Sequence, residues 1–138
     1  MKNDTCIFCK IVAGDIPAIK VYEDDEVLAF LDAHPINPGH SLVIPKEHHA
    51  KLSETPIELA ASMMKAVPHL GTAIMKAVGA PAFNLGCNNG VEAGQAVDHV
   101  HLHVMPRFAD DGYEVWHGRK ELEEDAGQEV ANKIRAEL

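Results

Sequence analysis

The segment "GQAVDHVHLHVMPR", residues 94–107, constrains the fold more than any other stretch of the chain. His99, His101 and His103 occupy alternate positions, and Val100, Leu102 and Val104 lie at or beside the positions between them. Successive side chains of a β-strand point to opposite faces, so the pattern predicts a strand with one apolar face and one imidazole face. The apolar face must pack on a core. The histidines then line a surface or a cleft, about 6–7 Å apart along the strand.

Two chemistries fit such an array. A His-x-His pair on a strand can hold one zinc ion with an open position that activates water. Alternatively, one imidazole is a nucleophile and its neighbours fix its tautomer or handle protons. Cys6 and Cys9 bear on the choice, because C-x-x-C in a short helical turn lets two thiolates meet one tetrahedral zinc. "KEHH" offers His48 or His49 as a third ligand, and one histidine of the triple completes a Cys2His2 set. A closed site of that kind is structural and leaves two histidines for chemistry. A thioredoxin-like redox pair shares the C-x-x-C spacing but needs a βαβ context that the flanking sequence lacks.

The remaining segments predict an α+β domain. "CIFCKIVAGDIP" reads as a short helix over about residues 6–12, stopped by Gly14 and Pro17. Two apolar runs around the acidic turn Glu23–Glu26 predict a hairpin, and "SLVIPKEHH" a third strand after a loop rich in Pro35, Asn37, Pro38 and Gly39. Thr55 as cap, Pro56 in the first turn and Glu58 completing a capping box predict a helix that runs toward Gly79. Its face of Leu59, Met63, Val67, Leu70, Ile74 and Val78 follows the helical period, and Pro68 is expected to kink it. That Met-rich face suits a core or a subunit contact. "AFNLGCNNG" supplies another strand, and Leu122, Ala126, Val130 and Ile134 mark a final amphipathic helix whose charged outer positions are solvated. The sum is a mainly antiparallel sheet of about five strands with one long central helix and a C-terminal helix.

Charge narrows the partners. Twenty-one acidic against twelve basic residues give a net charge of -9, which repels a nucleic-acid backbone, so any phosphate ligand is small and bound locally. No run approaches the roughly 20 apolar residues of a membrane span, and "MKNDTCIFCK" has no apolar leader, so no membrane association and a cytoplasmic location are expected. Three cysteines, an odd number, argue against a disulfide framework. At 138 residues and 46% hydrophobic, the chain fits one domain.

"HVHLHVM" resembles the His-x-His-x-His motif of the histidine triad (HIT) family. "NNGVEAGQAVD", "FLDAHPINPGHSLVIPKEH" and "CIFCKI" resemble the family's other landmarks in the same order, over about residues 4–107 with residues 108–138 as an extension. The likeness is greatest to bacterial zinc-containing members of the Hint branch. It implies the HIT-like fold, a homodimer, and cleavage of purine nucleoside phosphoramidates or related AMP conjugates. By that resemblance His101 would attack the α-phosphorus to give a nucleotidyl-histidine, His103 would contact the phosphate and His40 would support them. Structural zinc would be held by Cys6, Cys9, His48 and His99. Phe8, Ile11 and Phe30 would form the base slot, Asp32 would accept the ribose hydroxyls, and Asn88, Gly94 and Gln95 would wrap the phosphate.

One departure stands out: many members carry Ser after the Gly-Gln pair, where this chain has Ala96, which bears on leaving-group preference. Three further readings compete. A dinucleoside polyphosphate hydrolase would differ in leaving group. A non-catalytic nucleotide-binding module would bind without modification of His101. A zinc-water hydrolase would need an open coordination position near His101.

Overall fold

The computed structural model describes residues 3–138. Helix α1 (Ile7–Ala13) is followed by strands β1 (Lys20–Glu23), β2 (Val27–Leu31) and β3 (Ser41–Pro45), helix α2 (Ile57–Val78), strands β4 (Ala82–Gly86) and β5 (Leu102–Arg107), and helix α3 (Glu124–Glu137). The five strands form one sheet in the order β1-β2-β3-β5-β4, every neighbouring pair antiparallel. This is the α+β architecture the patterning predicts. The hairpin closes through Asp24, whose Oδ1 accepts from the backbone N–H groups of Glu26 (2.9 Å) and Val27 (2.7 Å).

The strands β2 and β3 read "VLAFL" and "SLVIP", apolar on both faces, because both faces are covered. Val27, Ala29 and Val43 join Val100, Leu102 and Val104 beneath the α2 residues Met63, Val67, Leu70 and Ile74. On the other face Leu28, Phe30, Leu42 and Ile44 pack under Cys6, Phe8, Cys9 and Ile11 of the N-terminal segment. That second layer alters the expected setting of the triad. The imidazole face is the floor of a covered cleft, with His99 fully buried and His101 5% exposed.

Three local expectations need correction. The strand β3 stops at Pro45, where its pairing with β2 ends at Val27, so His48 and His49 lie beyond it. Regular pairing in β5 starts only at Leu102. His99 and His101 therefore sit in its lead-in, which is tied down by Val100 N–H donating to the His49 carbonyl at 2.7 Å. Thr55 does not cap α2; its Oγ1 donates to the Lys51 carbonyl at 2.8 Å, closing the preceding 3-10 turn, and Pro56 occupies the cap position. Helix α2 runs on through the exposed Pro68 and ends at Gly79, which adopts the left-handed conformation (φ 71°).

The apolar face of α2, a candidate subunit contact from sequence, is buried in the chain's own core. Gly71 makes that packing possible, since a Cβ there would lie 2.7 Å from Cζ of Phe83 on β4. By contrast, α3 buries no residue, and Leu122, Val130 and Ile134 stay exposed. Among the described residues, no helix is long and apolar enough to cross a membrane.

Candidate active site

Two clusters of histidine atoms flank the β5 lead-in, and hydrogen bonds decide what each can do. In the first, the Nδ1 atoms of His99 and His48 are 3.3 Å apart. The Cys6 and Cys9 sulfurs lie 3.5 and 3.7 Å from His99 Nδ1, and the Cys9 sulfur 3.4 Å from His48 Nδ1. A tetrahedral zinc with bonds of about 2.3 Å to sulfur and about 2.05 Å to nitrogen separates its ligand atoms by about 3.3 Å (N to N) and about 3.6 Å (N to S). These four separations therefore match edges of a zinc tetrahedron, and all four ligand atoms lie within 4.8 Å of one another.

The tautomers agree. His99 Nε2 lies 2.8 Å from the Pro45 carbonyl, which can only accept, so the ring proton is on Nε2 and the Nδ1 lone pair faces the sulfurs. Burial pushes the His99 imidazole down to about 4, keeping it neutral as a ligand must be. Burial also pushes the Cys6 thiol up, so its thiolate form calls for a cation beside it.

Asp32, His40 and His103 form a second convergent group, with a different logic. The Ile36 N–H donates to His40 Nδ1 at 3.1 Å, which places the proton of neutral His40 on Nε2. That Nε2–H donates to His103 Nδ1 at 2.9 Å, so His103 carries its own proton on Nε2. A metal bound at His40 Nε2 would force a proton onto Nδ1, against the Ile36 N–H. The group is thus a hydrogen-bond relay rather than a metal site. Asp32 Oδ2 stands 3.5 Å from His40 Nε2 and 3.9 Å from His103 Nδ1, while Oδ1 accepts from the His34 N–H at 2.8 Å. His103 Nε2 is buried and has no protein partner.

Between the clusters opens a cleft of about 650 Å³. His101 and His103 line it together with Asp32 and the apolar side chains of Phe8, Ile11, Phe30, Leu42 and Val97. Phe8 meets Phe30 edge-on at 5.5 Å and His101 edge-on at 5.3 Å, so α1 supplies one wall of the slot and fixes the ring of His101. His101 Nδ1 lies 2.7 Å from the His99 carbonyl and must donate to it, leaving Nε2 with an unshared lone pair. Burial lowers His40 and takes His103 to about 4, the nearby Asp32 carboxylate opposing it in both cases. Both rings are neutral at pH 7.

The HIT domain model matches residues 13–110 of the chain. The protein belongs to the HIT family. It is 41% identical over 136 residues to adenosine 5′-monophosphoramidase hnt1 of Schizosaccharomyces pombe, covering 95% of this chain and 99% of that one. It is 50% identical over 111 residues to adenylylsulfatase HINT3 of Arabidopsis thaliana, covering 80% of this chain. The match spans only 56% of that plant relative's length. The crystal structure of a Zn-bound histidine triad family protein from Mycobacterium smegmatis superposes with a TM-score of 0.75 at 36% identity, covering 97% of this chain and 98% of the other.

Within this HIT protein, Phe8, Ile11, Phe30, Asp32, His101 and His103 converge on the cleft, with His40 directly behind them. Asn88, Gly94 and Gln95 are not on its wall. The Gln95 side chain holds the loop instead: Oε1 accepts from Gly90 N–H (2.8 Å), and Nε2 donates to the Ala50 and Val97 carbonyls (2.7 and 2.9 Å). The backbone N–H groups of Gly94 and Gln95 are engaged as well, with Val91 and Gly90 carbonyls, and Asn88 Nδ2 donates to the Gly94 carbonyl. Sequence reasoning missed His34 on the cleft rim and the wall formed by Pro17, Ala18 and Ile19. His34 carries a legible signal, standing two residues after Asp32 in the same loop. The wall residues carry none, because a short connection between helix and strand looks alike whether or not it lines a cleft.

Proposed function

We propose that the protein is a nucleotidyl-transferring hydrolase that cleaves purine nucleoside phosphoramidates or related AMP conjugates through a nucleotidyl-His101 intermediate. One observation carries the reading: the His99 carbonyl locks the His101 proton on Nδ1, presenting the Nε2 lone pair to the cleft beside the unpartnered His103 Nε2–H. In the first step Nε2 attacks the α-phosphorus, the new N–P bond forms and the bond to the leaving group breaks, the departing nitrogen keeping the electron pair and taking a proton from solvent. In the second, water attacks the same phosphorus, gives up a proton to solvent, releases AMP and returns the electron pair to Nε2. The His103 Nε2–H donates to a phosphoryl oxygen as charge builds there. Phe8, Ile11 and Phe30 hold the base, and Asp32 accepts from the ribose. The activities of the fission-yeast and plant relatives, a monophosphoramidase and an adenylylsulfatase, support AMP conjugates as the substrate class.

Cys6, Cys9, His48 and His99 hold a structural zinc in this reading, supported by the donor geometry and the Zn-bound relative. The ion neutralises the buried thiolates and braces the lead-in that carries His101. Four protein ligands at tetrahedral spacing leave no position for activated water, which disfavours the zinc-water reading. A homodimer is also proposed. With the inner face of α2 already buried, surfaces open to it include the outer side of α2, where Met64 is exposed, and the edge strand β4, where Leu85 is exposed.

The test is AMP release from an AMP-amine conjugate, with intact-mass detection of an adenylylated protein. Wild type should release AMP and show a transient adduct, and His101→Ala neither. Nucleotide binding without release or adduct would overturn the catalytic reading in favour of a binding module.

A further inference from the structure

The network around Asp111 lies outside the cleft, just past the end of the matched family region at residue 110. We infer that Asp111 and Asn37 are positioning residues that set the proton relay of the cleft from behind. The Asp111 carboxylate collects five donors. Arg107 grips it with Nε (2.7 Å) and Nη2 (2.9 Å), Phe108 and Tyr113 donate their backbone N–H groups (both 3.1 Å), and Asn37 Nδ2 donates at 3.0 Å. The side chain of Asp111 is 6% exposed, so solvent does not substitute for these partners. Arg107 ends β5, four residues after His103, and its Nη1 reaches Asn84 Oδ1 on β4 at 2.7 Å. Asp111 therefore fastens the end of the catalytic strand to its neighbour and to one loop.

That loop, residues 32–40, bears Asp32 at one end and His40 at the other. Asn37 sits inside it with both amide hydrogens engaged, one on Asp111 and one on the Pro106 carbonyl (3.0 Å). Its own carbonyl accepts from the His40 N–H at 3.1 Å, and the residue before it, Ile36, supplies the N–H that fixes the His40 tautomer. The chain of contacts is continuous: Asp111 to Asn37, Asn37 and Ile36 to His40, and His40 to His103, a residue of the cleft lining whose Nε2 is buried without a protein partner. Loosening the far end frees Ile36 from His40 Nδ1. His103 then loses its fixed donor, and its Nε2 can present a lone pair where a phosphoryl oxygen needs a proton.

The variants are Asn37→Ala, which leaves the Arg107–Asp111 pair in place, and Asp111→Ala. The primary readout is the tautomer of His103 by long-range ¹⁵N–¹H NMR of the ring, which requires no substrate. The wild type should show a single Nε2–H tautomer and each folded variant a mixture of tautomers. The kinetic arm rests on the function proposed above: kcat for AMP release should fall roughly 10- to 100-fold while KM stays within about twofold, because the misplaced donor acts in the transition state. If Asp111→Ala fails to fold, Asn37→Ala decides alone. A folded Asn37→Ala variant with wild-type His103 tautomer and wild-type kcat would overturn the inference. A wild type inactive on every AMP conjugate would overturn the function and leave the tautomer result standing.

Discussion

Replacing Cys9 with alanine tests how much of the fold depends on the Cys2His2 cluster. Cys9 belongs to α1, and the nearest ligand atom on the triad side, His99 Nδ1, is 90 residues away in sequence and 3.7 Å away in space. A cross-link closing a loop of that size removes about 4–5 kcal/mol of chain entropy from the unfolded state, by the relation used for disulfides. For a domain of this length, about 4 °C of Tm goes with each kcal/mol, so loss of the link should lower Tm by about 15–20 °C. Function should follow, because α1 carries Phe8, whose ring braces His101. The assay is thermal unfolding of wild type, Cys9→Ala and chelator-treated wild type, with zinc content measured on the same samples. Wild type should carry one zinc per chain, and both perturbed samples should lose the metal and show the same fall in Tm. A wild type that binds one zinc yet unfolds within about 2 °C of metal-free Cys9→Ala would refute the cross-link argument, whatever the activity.

Three further outcomes are expected. Gly71→Ala gains about 1 kcal/mol of helix propensity but drives a methyl into the Phe83 ring, an overpacking of about 1–3 kcal/mol. Urea unfolding should show net destabilisation that the double variant with Phe83→Leu relieves. The folded His103 is neutral down to about 4 whereas the unfolded chain takes up its proton near 6.5, so the unfolded state binds more protons between those pH values. Stability from this group is complete above pH 6.5 and is lost as pH falls toward 4, by about 3 kcal/mol at most. The difference between wild type and His103→Asn in urea midpoint at pH 7 and pH 4.5 should show it, and parallel profiles would refute it. Ala96→Ser places a hydroxyl on the cleft wall. One net hydrogen bond to the leaving group, about 1 kcal/mol, should raise AMP release from an amine conjugate roughly fivefold and from adenylyl sulfate much less; equal effects would refute a leaving-group role.

Much of this was legible in the sequence because period and spacing are local signals. The alternation of "HVHLHV" put Val100, Leu102 and Val104 in the core; C-x-x-C offered two ligands with His48 or His49 and one histidine of the triple, the family resemblance pointed to His48 and His99, and the structure brings those four together. The burial of the histidine face was not legible, since the layer covering it comes from α1, some 90 residues earlier in the chain. The Thr55 cap failed for a related reason: its hydroxyl had a competing acceptor in the Lys51 carbonyl, and propensity does not rank competing partners. Gln95 looks like a phosphate donor in a Gly-rich loop, yet three backbone partners engage its amide. Asp111 carried a local signal that went unread, since Arg107, Phe108 and Tyr113 all lie within four residues of it, whereas its link to Asn37, 74 residues away, is made only by folding.

The same absence of a local signal explains why three chemically identical side chains in one short segment end with three different capacities. The backbone assigns them. The Pro45 carbonyl takes the Nε2 proton of His99 and turns Nδ1 toward the cysteines, which makes that ring a ligand in the proposed zinc site. The His99 carbonyl takes the Nδ1 proton of His101 and turns the Nε2 lone pair to the cleft, which makes that ring a nucleophile in the proposed reaction. For His103 the assignment arrives through His40 and begins at an N–H, that of Ile36, so the polarity is reversed and Nε2 carries a proton instead of a lone pair. A carbonyl and an amide, each held by strand or loop, thus separate a lone pair from a donor on neighbouring rings 4.9 Å apart. Substituting any one histidine by another ligand-forming residue would lose this division. A nucleophile beside a proton donor is the pairing that transfer at phosphorus requires, and it depends on where Pro45, Ile36 and the His99 carbonyl are held at least as much as on the imidazoles themselves.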